Sequence, residues 1–245
     1  MPILPRLIVV SLLAISGGAF AYDDAGTTGA GNVDLEIATE KAVVKADAHR
    51  SWTTALTASY GLSEELDLSA SLPYVDSRSG GADSAAARGI GDISAGFKWR
   101  FLEQEEGLSL ALSANAVLPT ANPNKGLGND RLGADATLIA EYALGDVTLY
   151  GNAGYVFNNN KAGDRNHLWT AAIAAEYAFS EQFAANVELA SQRNASKENH
   201  RNPLSAGLGV TITPSELIDI DLGYQWGLND AADDYVISAG LTFHL

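Results

Sequence analysis

The chain has 245 residues, 24 of them glycine, no cysteine, 18% charged residues and a formal net charge of −15. That length allows one barrel domain or two small domains, and the missing cysteines exclude a disulfide framework and thiolate metal sites. The acidity argues against nucleic-acid binding, and low charge with high glycine suits a chain bathed in lipid better than a soluble domain.

Residues 1–21 read as a secretory signal. Arg6 supplies the positive start, Leu7 to Ile15 the apolar core, and Ala19-Phe20-Ala21 the small-x-small cleavage site. The apolar core is far shorter than the roughly 20 residues a membrane-spanning helix needs. No later window is long and apolar enough for a spanning helix either, so the mature chain is either soluble or a β-barrel. Residues 22–31 are expected as a periplasmic N-terminal tail, and 32–245 as the barrel.

From residue 32 onward the chain falls into stretches of alternating apolar and small or polar residues. Strands are expected near 32–44, 51–61, 66–76, 89–101, 108–118, 131–144, 147–157, 167–179, 183–193, 203–213, 217–227 and 234–245. Each is long enough for a tilted strand to cross a bilayer. In the fifth, Leu108, Leu110, Leu112, Ala114, Ala116 and Leu118 share one face, and Ser109, Ala111, Ser113 and Asn115 the other. In the eleventh, Ile218, Ile220, Leu222, Tyr224 and Trp226 oppose Asp219, Asp221, Gly223 and Gln225.

Alternation also occurs in soluble sheets, so the aromatics decide. Every strand aromatic except Tyr150 lies in the apolar register, and most lie near a strand end. Trp52, Tyr74, Tyr155, Trp169 and Trp226 flank the long loops, whereas Tyr60, Trp99, Tyr142, Tyr177 and Phe183 lie by the short turns. These are the two girdles of a membrane barrel. Lys41 alone is untidy, since it shares the apolar face of the first strand near its end. The last strand, with Ile237, Ala239, Leu241, Phe243 and Leu245 on one face, fits the terminal signature read by the barrel-assembly machinery.

Short connections at 62–65, 102–107, 145–146, 180–182 and 214–216 alternate with longer ones at 45–50, 77–88, 119–130, 158–166, 194–202 and 228–233. The expected fold is therefore all-β, a membrane-spanning antiparallel up-and-down barrel of 12 strands. It places both termini at the periplasmic side of the cell outer membrane.

Gly89 to Phe101, GIGDISAGFKWRF, and Ser113 to Thr120, SANAVLPT, carry a G-x-G-D strand opening and a later L-P-T strand end. In these motifs the chain resembles the outer-membrane "MetA-pathway of phenol degradation" transporter family. The resemblance implies a small channel for aromatic or other hydrophobic compounds.

The inward register carries Asp34, Glu36, Asp67, Asp92, Asp135, Glu141, Glu176, Glu188, Asp219 and Asp221, opposed by Lys98 and Arg100. Asp67, Asp92, Lys98, Arg100, Asp135, Glu141, Glu176, Glu188, Asp219 and Asp221 are the candidate pore-lining residues. Carboxylate rings favour cations in a pore. The same residues fit an occluded structural or adhesive barrel, with the carboxylates hydrogen-bonded to one another. Loop 119–130 is equally an inward constriction or an external loop. Lys and Arg concentrate in the long loops, as binding to lipopolysaccharide phosphates would require, or simple solvation. His49, His167, His200 and His244 read as surface residues, and Asp233 with Asp234 as an acidic loop tip or part of a rim calcium site. No catalytic or metal spacing is present, so no enzyme activity and no cofactor are expected. The partners expected are outer-membrane lipid and lipopolysaccharide, a small-molecule solute and the assembly machinery, with the chain a monomer.

Overall fold

The computed structural model describes residues 19–44, 49–78, 86–104 and 107–245. Most of the expected signal, the tips of loops 45–50 and 77–88, and part of turn 102–107 lie outside the described residues. Thirteen strand segments follow in order: β1 Val33–Val44, β2 His49–Ser63, β3 Leu66–Arg78, β4 Ala86–Ile90, β5 Ser94–Leu102, β6 Leu108–Val117 and β7 Gly133–Leu144. They continue with β8 Val147–Phe157, β9 His167–Ser180, β10 Phe183–Gln192, β11 Leu204–Ser215, β12 Ile218–Gly227 and β13 Tyr235–His244. All pairings are antiparallel between neighbours, and β1 also pairs with β13, which closes the sheet. β4 and β5 are two halves of one wall strand, so the barrel has 12 strands, as expected.

The apolar register faces outward. Ile212, Ile220, Leu241, Ile37, Leu56 and Leu72 are successive cross-strand partners, and they carry one apolar row across the closure from β11 to β3. Ile37, Leu56 and Leu72 are 40–47% exposed, a cost in water that hydrocarbon removes. Lys41 is reconciled with this face by lying over the Trp52 ring, 5.4 Å from its centroid.

The fourth wall strand was expected to run unbroken from 89 to 101. It is interrupted at residues 91–93, opposite Pro73 of β3, which has no N–H to give to a ladder. Gly91 N instead donates to the Pro73 carbonyl at 2.8 Å.

The larger departure is the N-terminal segment. Residues 22–31, expected as a periplasmic tail, run inside the barrel together with Ala19–Ala21. Polar inward side chains leave the lumen full of acceptors, and the strap's backbone N–H groups satisfy them. Thr28 N meets Asp67 Oδ2 at 2.9 Å, Ala25 N meets Glu141 Oε2 at 3.1 Å, and Ala21 N meets Glu188 Oε2 at 2.9 Å. At the foot of the strap the chain turns into β1 through Gly29 and Gly31, both at positive φ. The turn lies so close to β2 that a Cβ on Gly61 would fall 1.8 Å from the Gly29 carbonyl oxygen. Ala25, Ala111 and Ile139 form a small apolar spot where the strap meets the wall.

Leu112 faces outward beside Trp99, whereas Ser113 lines the interior. Leu112→Arg should therefore reduce folding yield in lipid vesicles, because Arg on the lipid face costs up to about 2–4 kcal/mol, falling from the midplane towards the interfaces. Ser113→Arg should fold as the parent does, and heat-modifiable gel migration reads both.

Candidate functional site: an acidic lumen crossed by the N-terminal strap

A cavity of about 560 Å³ lies beside the strap. Its wall carries Asp34, Glu36, Asp67, Glu141, Glu176, Asp219 and Asp221, joined by Asp23 and Asp24 of the strap itself. Among the described residues lining it, Lys98 is the sole Lys or Arg. The strands dictate this grouping. Alternation sends every second residue inward, and the strand register sets acidic residues from β1, β3, β7, β9 and β12 around one space.

Lys98 of β5 is committed to the strap. Its Nζ lies 2.9 Å from Asp23 Oδ1 and 3.2 Å from the Asp24 carbonyl oxygen. Asn152 clasps the same turn, donating from Nδ2 to the Asp23 carbonyl at 3.0 Å and accepting Asp23 N at 3.2 Å. Glu176 accepts from Tyr22 and Tyr150, whose rings pack 4.5 Å apart. The inward placement read for Tyr150 thus serves to seat the strap.

The remaining candidates divide. Glu188 accepts from Gln225 at 2.6 Å as well as from the strap. Asp221 and Asp219 accept from Thr211 and Thr213 of the neighbouring β11. Asp135 accepts from Asn115 at 2.9 Å on the inner wall. Arg100 is not a cavity residue: it donates to the Glu64 carbonyl and pairs with Glu103 at the short-turn end. Asp92 does not line the cavity either. Its two oxygens accept Ala121 N and Asn129 N at 2.9 Å each, holding both ends of loop 119–130. Leu127 of that loop is buried, and its methyl would lie 2.8 Å from a Cβ on Gly89. The G-x-G-D opening is therefore a latch. It ties the loop over the break between β4 and β5, where strand pairing is interrupted. Loop 119–130 lines no part of the cavity.

His244, read from the sequence as a surface residue, is corrected. Its Nδ1 lies 2.8 Å from Asp34 Oδ1 and its Nε2 3.0 Å from Asp219 Oδ2. It joins β13 to β1 and β12 at the closure, and Thr28 of the strap donates to the other Asp34 oxygen. Neither β1–β13 pairing nor the strap is visible in local periodicity, so sequence offered no signal for it. Much of the loop cation is spent within the protein, as Arg201 pairs with Asp230, Lys161 with Asp130, and Arg165 donates to carbonyls of residues 194–199. Asp233 is pushed up to about 6 by its burial and by Asp234 beside it. Among the described residues no three His, Cys, Asp or Glu side chains gather as a metal site.

The family model described as "Putative MetA-pathway of phenol degradation" matches residues 22–245. The chain belongs to this family. No match was found among curated protein sequences. Of solved structures, the COG4313 outer membrane channel from Pseudomonas putida F1 matches with a TM-score of 0.72 at 13% identity, over 91% of this chain and 98% of that one. The KdgM porin gives 0.54 at 8% identity, over 86% and 98%. The translocator domain of the autotransporter NalP from Neisseria meningitidis gives 0.55 at 14% identity, over 88% of each. At such identities the likeness is one of fold, and it is to barrels of the outer membrane, where this family member resides.

Two outcomes follow from the strap and the latch. Lys98→Met leaves Asp23 and Asp24 among unopposed carboxylates, and should loosen the strap by about 1–3 kcal/mol. Faster hydrogen exchange at Tyr22–Ala25 in the folded barrel measures it. Asp92→Ala frees both ends of loop 119–130 and should expose it to protease while the barrel core stays intact.

Proposed function

We propose that this protein is a narrow outer-membrane channel for small solutes, with a preference for cationic and neutral solutes over anions. One observation carries the reading: an acidic cavity runs beside the strap, with nine carboxylates facing it and a single lysine. Fixed charge of one sign in a water-filled space with low-dielectric walls concentrates counter-ions and repels co-ions. Glu36 is nine-tenths buried in this space and has Asp221 and Asp23 as acidic neighbours. The family's description ties it to phenol degradation, which makes small aromatic compounds the first solutes to assay.

A second reading has its own support. The strap's bonds to Asp67, Glu141 and Glu176 hold a segment across the lumen, as a closed structural barrel would require.

Planar-bilayer recording under a KCl gradient separates the two. A reversal potential on the cation side is expected, and combined Glu36→Gln, Asp219→Asn and Asp221→Asn should move it towards zero with the fold intact. A reversal potential on the anion side refutes the selectivity. Folded protein without conductance favours the closed barrel.

A further inference from the structure

Four inward residues lie side by side across β10 to β13: Asn186, Gly209, Gly223 and Ser238 are successive cross-strand partners. The two glycines make a bare floor, flanked by an amide and a hydroxyl. An aromatic ring lies on this floor. A Cβ on Gly209 would fall 2.2 Å from Cε1 of Phe20, and one on Gly223 would fall 3.6 Å from its Cδ1. The Phe20 ring is parallel to that of Tyr22, at 7° and 5.5 Å between centroids.

The polar flank is unfinished. Asn186 is only 3% exposed, yet neither its Oδ1 nor its Nδ2 has a partner among the described residues. Its Nδ2 would lie 2.7 Å from a Cβ on Gly209, so it points at the ring's place. A buried, unpaired amide is costly, and a phenylalanine ring cannot pair with it. Ser238 donates its hydroxyl to the Ala19 carbonyl.

Phe20 and Ala19 both belong to the expected signal, and the family match begins at residue 22, directly after Ala21. Tyr22 is held by residues that remain, Tyr150 and Glu176. We infer that signal removal after Ala21 empties the slot now filled by Phe20, and that in the mature barrel this slot binds a neutral single-ring aromatic bearing a hydroxyl, stacked between the Gly209–Gly223 floor and Tyr22 with its hydroxyl on Asn186 or Ser238. This deepens the channel reading by giving the lumen a solute site. The chemistry follows from the wall: a flat, side-chain-free floor and an aromatic neighbour suit a ring, and the amide and hydroxyl suit a phenol oxygen.

The test uses full-length protein processed in cells and purified from outer membranes, with p-cresol as probe and toluene as the apolar counterpart. Intact mass should place the first residue at Tyr22. Calorimetric titration should show p-cresol binding that Gly209→Ala weakens at least about tenfold, since its methyl occupies the ring position. Asn186→Ala should weaken p-cresol about fivefold to tenfold through the lost hydrogen bond and leave toluene unchanged. Heat-modifiable migration confirms that each variant is folded. A first residue at or before Phe20, no p-cresol binding by the parent, or equal binding by the parent and Gly209→Ala overturns the proposal. Conductance of the same samples keeps it distinct from the channel reading. Ion flow without p-cresol binding refutes the slot alone, and p-cresol binding without ion flow refutes the channel alone.

Discussion

Hydrocarbon offers no hydrogen-bond partner to a peptide group, and nearly everything in this molecule follows from that constraint. It requires the sheet to close, which the β1–β13 pairing does. The break opposite Pro73 lies at the long-loop end, where β4 pairs with β3 on one side and has Leu127 of loop 119–130 against Gly89. The Asp92 carboxylate, bound to two loop amides, is the local remedy. In this chain the short glycine-rich motif thus serves the integrity of the wall.

The inside of the barrel obeys the opposite rule. Strand alternation that gives lipid its leucines gives the lumen its carboxylates, and a 12-stranded wall leaves more space than these side chains fill. Paired partly with threonines and asparagine of neighbouring strands, the carboxylates still have spare acceptors. A strand-like segment of backbone is a row of donors, and the N-terminal strap supplies one. Acidic wall and strap are complementary in this sense: the N–H groups of Ala25 and Thr28 each take a different wall carboxylate. The strap brings two acids of its own, and Lys98 offsets them.

Selectivity and occlusion therefore come from the same residues. Glu141 and Glu176 lend the lumen its sign and also hold the segment that narrows it. A solute that passes must do so through the remaining cavity, or by moving the strap against these bonds.

Sequence by itself determined the class, the strand number and the two faces of the wall, because lipid imposes a period of two that each strand must satisfy locally. It also placed Glu141, Glu176, Asp219 and Asp221 in the lumen and Tyr150 apart from the other aromatics. Tertiary structure alone decided what those residues meet. The strap has no periodicity of its own, so residues 22–31 read as a tail until the acceptors they reach are in place, more than 100 positions away for Glu141 and Glu176. His244 lies next to the chain's end, and closure of the barrel sets it between Asp34 and Asp219. Asp92 keeps the inward parity of its strand, but a proline in the neighbouring strand breaks the ladder and sends its carboxylate to a loop. Each of these depends on which distant backbone comes to lie alongside, and that is fixed only when the sheet closes on itself.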